Sequence, residues 1–286
     1  MASYSDLLTL FEIERVGSSG TVFRPVDGLP HDDDRLLGGL VLGLSLRSAA
    51  ATVDDGRTVH SVHAYFLRPG RSSRPLELVV DVVRDGRAFS VRRMEARQDG
   101  VPIAMLTASY VTGDADDDPV DWQRAAPVDV DPDQIAGPPP LVSTSVLLEA
   151  FDVRAAAPDD PESWSAVHPY WARVRTPLPD DPALHASVIA LMSDCGVSAT
   201  ACGPGTSVRA QLATTSLDHG VWFHRPTRTD GWLLVTGHSE TDRARRGFVH
   251  ASVQARDGRL VASIAQEALR VTGRARPEAA RAPGRA

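Results

Sequence analysis

Apolar and polar positions along the chain fall into two similar series. In the first, Leu36 to Ala51 is a run of apolar and small residues that predicts a buried helix. Four runs rich in Val, Phe, Tyr and Thr follow, at Thr58–Leu67, Leu76–Arg84, Ala88–Gln98 and Val101–Val111, and each reads as a strand. Asp85-Gly86 and Asp99-Gly100 stand between them as hairpin dipeptides. The second series opens on Asp180-Asp181-Pro182, a start signal for a helix from Ala183 to about Ser198. Strand-like runs at Val208–Leu217, Val221–His224, Trp232–Gly237, Gly247–Arg256 and Leu260–Val271 complete it, with a hairpin at Asp257-Gly258.

Direct alignment turns this likeness into a repeat. Tyr65-Phe66-Leu67-Arg68-Pro69 matches Trp222-Phe223-His224-Arg225-Pro226, Ala88-Phe89 matches Gly247-Phe248, and Ile103-Ala104 matches Val261-Ala262. Ala96-Arg97 and Asp99-Gly100 match Ala255-Arg256 and Asp257-Gly258 with one residue gapped. The expected unit is one long helix followed by a bent antiparallel sheet that wraps it. Two units pair edge to edge into one sheet, which hides their edge strands.

The boundary between the units is compositional. Residues 114–140 are rich in Asp and Pro and have no apolar period, so they read as a solvated linker between an N-terminal unit (1–113) and a C-terminal one (141–273). Residues 274–286 read as a disordered tail. The aspartates of the linker lack the spaced oxygens, central Gly and terminal Glu of a calcium loop.

Composition narrows the function classes. With 30 basic and 37 acidic side chains the net charge is −7, which offers no global attraction to nucleic acid or to anionic membranes. No apolar run approaches the roughly 20 residues needed to span a bilayer, and the first residues lack the pattern of a signal peptide. Two cysteines, Cys195 and Cys202, give no metal-finger spacing, so neither zinc nor another metal is expected; they suggest a reducing, cytoplasmic setting. Lysine is absent, which excludes a P-loop at Gly38-Gly39 and leaves close packing of a glycine-rich helix against a sheet as their reading.

The two units differ where chemistry needs polar groups. Ser216 aligns with Val59 and Gln266 with Ala108, so the second unit has polar side chains in strand contexts where the first has apolar ones. A buried polar group is satisfied or used. Asp194, at the end of the second helix, joins these candidates, although its spacing suits a surface or capping aspartate equally well. Glu267 competes with Gln266. Asp218-His219 cannot readily form a dyad, because adjacent strand residues point to opposite faces; hydrogen-bonding support is their expected role. His60, His63 and His224 read as satisfied structural histidines, Cys195 as a buried thiol, and the arginines 84, 87, 92 and 93 as a solvated strand face or a contact for coenzyme A phosphates.

Taken together, Arg35-Leu36-Leu37-Gly38-Gly39, His60-Ser61-Val62-His63-Ala64-Tyr65-Phe66-Leu67-Arg68-Pro69-Gly70, Arg84-Asp85-Gly86-Arg87-Ala88-Phe89, Ser193-Asp194, Leu217-Asp218-His219, Trp222-Phe223-His224-Arg225-Pro226 and Gln266-Glu267 resemble the acyl-CoA thioesterase II family. The resemblance runs from about Leu7 to Val271. It implies an α+β fold of two fused hotdog domains, each a long helix wrapped by an antiparallel sheet. It implies hydrolysis of acyl-CoA to a free acid and coenzyme A, with no cofactor, and it leaves homo-oligomerisation open. By motif, the family's water-holding Asp, Thr or Ser, and Gln fall on Asp194, Ser216 and Gln266. The chain departs from the pattern at Leu40, where Gln is frequent, and at Ser216, where Thr is frequent. Two rival readings remain: a non-catalytic hotdog protein that binds acyl-CoA or an acyl carrier, and a hotdog enoyl-CoA hydratase. The second needs an Asp and a His five apart at a helix start. Asp55 and His60 have that spacing, and Gly56 places them in a turn.

Overall fold

The computed structural model describes residues 4–30, 34–113, 121–124, 131–135, 149–156, 169–203 and 214–271. The expected tail lies outside the described residues, as do most of the expected linker and residues 208–213 of the expected strand Val208–Leu217.

The N-terminal series begins with a short helix α1 (Leu7–Leu10) and two short strands, β1 (Ile13–Arg15) and β2 (Val22–Pro25). Then come α2 (Gly38–Ala50) and four long strands: β3 (Arg57–Phe66), β4 (Glu77–Asp85), β5 (Phe89–Gln98) and β6 (Val101–Thr112). The C-terminal series has β7 (Phe151–Ala155), β8 (Tyr170–Val174), α3 (Pro182–Asp194), α4 (Val197–Thr200), β9 (Thr214–Ser216), β10 (Asp218–Phe223), β11 (Leu233–Arg243), β12 (Arg246–Ala255) and β13 (Leu260–Arg270). All the strands join one antiparallel sheet in the order β1-β2-β4-β5-β6-β3-β10-β13-β12-β11-β8-β7, with β9 paired to β13. The sheet reads the same outward from its centre, where β3 meets β10 with His63 opposite Gly220. β1, β2, β7 and β8 are too short for a clear alternation, and the sequence did not announce them.

Both helices lie on the inner face of this sheet and against each other. α2 packs on β3 to β6, and α3 on α2, β3 and β10. Nearly every residue of α2 from Gly39 to Ala49 is buried, as expected for a helix apolar on all sides. The side chains of both halves form one continuous core. α3 starts on Asp181, whose carboxylate accepts from the N–H groups of Ala183 and Leu184 at 2.9 and 3.1 Å, and Pro182 needs no such partner. Asp181 also pairs with Arg47 in the last turn of α2 at 2.7 Å, which pins the two helices end to end.

Several expectations are corrected. The second helix does not run on to Ser198: it ends at Asp194, because Gly196 takes a left-handed conformation (φ 83°). The glycines of α2 face the other helix rather than the sheet: a Cβ on Gly43 would lie 2.6 Å from the Ser187 carbonyl oxygen, and one on Gly39 2.6 Å from that of Leu191. The repeat holds between β3 and β9–β10 and between β6 and β13, where Val59 and Ser216 face Tyr110 and Ala268. In β5 and β12 it slips by two residues: Val91 (opposite Ser109), not Phe89, is the counterpart of Phe248 (opposite Glu267). A slip of two keeps every side chain on its face, so the alternation hid it.

The described parts of the linker are docked on the second half, not free in solvent. The Gln123 side chain donates to the Gly258 carbonyl at 2.7 Å and accepts from the Leu260 N–H at 2.8 Å. Asp131 and Asp133 both pair with Arg256. The stretch Pro182–Thr200 is apolar enough to cross a membrane, but most of it is buried inside this fold, so it is a core helix.

Candidate active site

Three elements bring the expected residues to one point. Asp194 is the last residue of α3, Ser216 ends β9, and Gln266 lies in mid-β13. Asp194 Oδ1 accepts from Ser216 Oγ at 3.1 Å and from Gln266 Nε2 at 3.0 Å. Gln266 Nε2 also donates to Ser216 Oγ at 2.5 Å. An ionised carboxylate only accepts hydrogen bonds, so it fixes which end of the Gln266 amide faces it. Asp194 and Gln266 are buried and Ser216 is half-buried. The remaining lone pairs of the amide, on Gln266 Oε1, have no partner among the described residues.

The fourth member comes from the other half of the chain. The backbone N–H of Gly39, in the first turn of α2, donates to Asp194 Oδ2 at 2.8 Å. The N-cap residue, Leu37, provides no capping side chain, so the carboxylate takes up part of the exposed positive end of the helix. Only glycine permits this approach: a Cβ on Gly38 would lie 2.9 Å from Asp194 Oδ2, and one on Gly39 2.9 Å from Asp194 Cβ. Spacing alone did not reveal this contact, and the Gly-Gly pair at a helix start was its only trace in the sequence.

Asp218 and His219 support the site from both sides, as their alternation suggested. His219 is buried and shares a 2.8 Å hydrogen bond with Ser193, next to Asp194. Asp218 Oδ1 accepts from the Glu267 N–H at 2.8 Å, next to Gln266. Burial pushes the His219 imidazole below its ordinary range; Asp194, Gln266 and Asp218 act in the opposite direction. Glu267 itself points outward to an ion pair with Arg246 at 2.7 Å, so Gln266 and not Glu267 belongs to the site.

Other candidates have ordinary roles. The Cys195 thiol is buried and raised well above its usual range, by burial first and then by Asp194, so it stays protonated. Its backbone carbonyl accepts from the buried Tyr170 hydroxyl at 3.0 Å. His60 and His224 hydrogen-bond Ser109 and Ser263, each at 2.8 Å, and His63 stands edge-on to Trp222. The arginine group divides. Arg92 is buried and bound to Asp85 and to the side chain and carbonyl of Thr52, whereas Arg93 pairs with Asp81 at the surface. Asp55 sits in the turn before β3, outside any helix, so Asp55 and His60 do not form the helix-start pair of a hydratase; Asp180 and His185 share the spacing at the start of α3, where Asp180 pairs with Arg228 and His185 Nδ1 is taken up by Thr229. Leu40 is fully buried in the core.

The corresponding place in the first half has no such chemistry. Val59 replaces Ser216, and Ala108 replaces Gln266. Counting along the two thirteen-residue helices, Ala50 replaces Asp194.

Known proteins are similar to this chain over most of its length. Residues 29–111 match the family model of the acyl-CoA thioesterase N-terminal domain, and residues 116–270 that of the C-terminal domain. The chain is similar to human acyl-coenzyme A thioesterase 8, with 31% identity over 82% of this chain and 80% of the relative. It is also similar to the crystal structure of the acyl-CoA thioesterase II TesB2 from Mycobacterium marinum: 33% identity, TM-score 0.76, covering 92% of this chain and 97% of the other. A hot dog fold protein from Alicyclobacillus acidocaldarius, 17% identical over 93% of this chain and 98% of its own, shares the fold at a TM-score of 0.68.

Proposed function

This chain belongs to the acyl-CoA thioesterase II family and is an acyl-CoA thioester hydrolase, and on that premise we propose that Asp194, Ser216 and Gln266 hold the water that attacks the thioester. The observation that carries this reading is the convergence of Ser216 Oγ and Gln266 Nε2 on a single oxygen of Asp194.

Asp194 acts as the general base. It takes one proton from the water while the water oxygen bonds to the thioester carbonyl carbon. Ser216 and the amide of Gln266 orient that water, so the attack begins aligned. The tetrahedral intermediate then expels the thiolate as the C–S bond breaks. The proton held by Asp194 passes to the sulfur, giving a free acid and coenzyme A. The helix start at Gly38-Gly39 places peptide dipoles beside the site, where negative charge develops on the carbonyl oxygen. His219 and Asp218 hold the strands and helix that carry the three residues.

The same reading makes the architecture two fused hotdog domains, residues 1–113 and 141–273. The matching strand order on the two sides of the β3–β10 seam supports it. The second unit carries the base and the first supplies the helix start. The two free thiols suit a reducing compartment such as the cytoplasm.

Mass spectrometry of enzyme quenched during turnover tests the water mechanism. The reading expects no acyl adduct on the chain, and one ¹⁸O atom in the product acid from a single turnover in H₂¹⁸O. An acyl group trapped on Ser216 or Cys195 would overturn it.

A further inference from the structure

A large cavity lies away from Asp194. It measures ≈ 1240 Å³ and lies at the opposite end of the paired helices, between the last turn of α2 and the first turns of α3. Roughly 18 Å of helix separates the two places, at 1.5 Å per residue. Ordinary ligand pockets span about 300–1000 Å³, so this one has room for an extended chain.

Its position is the counterpart of the active site. Ala50 and Val59, the residues that stand in for Asp194 and Ser216, both line it. So does Phe223, the counterpart of Phe66, which packs at Gly38 beside Asp194. The base and hydroxyl have been replaced by alkyl groups while the space remains. With Leu46 and Ile189, these residues give the cavity an apolar side.

The polar side has unsatisfied donors. His185 is 3% exposed and lines the cavity. Its Nδ1 accepts from the backbone N–H of Thr229 at 3.2 Å, which puts the imidazole proton on Nε2. That Nε2 is buried and without a hydrogen-bond partner. Arg57, whose side chain is 8% exposed, spends one nitrogen on the Gly86 carbonyl at 2.8 Å. Its Nε and a second terminal nitrogen are buried without hydrogen-bond partners; the nearest carboxylate, Asp54, stands 3.8 Å from Nε. Unpaired buried donors are costly. The other arginines of the lining, 173, 225, 228, 256 and 259, are each paired with an aspartate, which leaves Arg57 and His185 as the lining residues with unpartnered buried donors.

We propose that this cavity is a second, non-hydrolytic binding site for an acyl group, with the chain on the apolar side and its carbonyl or carboxylate end accepting from the free donor of His185. The inference rests on the reading of the Asp194 site as an acyl-CoA hydrolase. Two sources supply the same chemistry, intact acyl-CoA and the free acid that the enzyme releases.

Equilibrium titration of the full chain distinguishes them. One arm uses 2-oxododecyl-CoA, in which a methylene separates sulfur from carbonyl so that no thioester can be cleaved; the other uses dodecanoate. The wild-type chain is expected to bind two molecules of at least one probe, and the probe that fills the second site names the source. Ala186→Trp, which places an indole in the cavity, should reduce the count to one. His185→Asn keeps an acceptor for the Thr229 N–H but removes the free donor, and should weaken the second site by about tenfold. Both variants should still release thiol from acyl-CoA. One molecule per chain for both probes, or two sites that neither variant alters, would overturn the proposal while leaving the hydrolase reading intact. A wild-type chain that releases no thiol would overturn the hydrolase reading instead.

Discussion

Gly39 donates its backbone N–H to Asp194 Oδ2 at 2.8 Å across 155 residues of chain. The base of one half is thus held by the helix start of the other, and neither half holds a complete site. The sheet seam between β3 and β10 and the main core, which both halves share, tie the two halves together.

Gly39→Ala should therefore damage activity more than stability. Its Cβ would lie 2.6 Å from the Leu191 carbonyl oxygen and must push α2 off α3. Overpacking of this kind costs about 1–3 kcal/mol, so the fold should survive with a lowered Tm. Thiol release at saturating acyl-CoA should fall well beyond what that loss of folded protein explains, because the Asp194 contact moves with the helix. A variant with wild-type kcat would show that the contact has no part in catalysis.

Ser216 offers a graded test. Ser216→Ala removes a donor to Asp194 and an acceptor from Gln266. A positioning hydrogen bond contributes roughly 1 kcal/mol, about fivefold in rate. Ser216→Thr keeps the hydroxyl, and its added methyl limits the rotamers, so kcat should equal or exceed that of the wild type. Steady-state kinetics of the two variants, side by side, should give that order.

Acid should destabilise the fold through its buried histidines. His185 and His219 are both buried, and burial is the main force holding each imidazole below its ordinary range. The unfolded chain titrates near pH 6.5 and binds more protons there than the folded one. Their contribution is thus fully present above about pH 6.5 and is lost as pH falls toward the depressed folded values. Thermal melts between roughly pH 7.5 and 5 should show a falling Tm, with a shallower slope in His219→Asn.

The thiols should be inert while the chain is folded. Cys195 is raised well above its usual range and Cys202 to about 11, in each case mainly by burial. Thiolate is the reactive form. Iodoacetamide at neutral pH should leave both unmodified and leave activity unchanged, and should label both after denaturation. Fast native labelling with loss of turnover would put a thiol into the chemistry.

Much of this was legible in the sequence because the chain repeats itself. Helix and strand patterns located α2, α3 and the eight central strands, and the mismatches Ser216 against Val59 and Gln266 against Ala108 marked the half that carries the polar site. What escaped depends on distance in space. Gly38 and Gly39 read as packing against a sheet, since nothing local says that a helix from the other half lies there. The β5–β12 slip was silent because a two-residue shift leaves the apolar face unchanged. The end of β11 was missed because Ser239 to Arg243 is polar and sits largely in solvent around a bulge, where alternation carries no signal. His185 gave no hint of its free Nε2 until Thr229 was seen to occupy the other nitrogen.

The central claim is that Asp194 is the base, and its most direct measurement is kcat of Asp194→Asn alongside the affinity of the same variant for 2-oxododecyl-CoA. Asparagine keeps the size and, with its one oxygen, can still accept either from Gly39 or from Ser216 and Gln266, but it takes no proton from water. Loss of a general base typically costs about 10²–10⁴ in rate. The kcat of Asp194→Asn should fall by that order with binding preserved. Normal turnover by Asp194→Asn would contradict the claim.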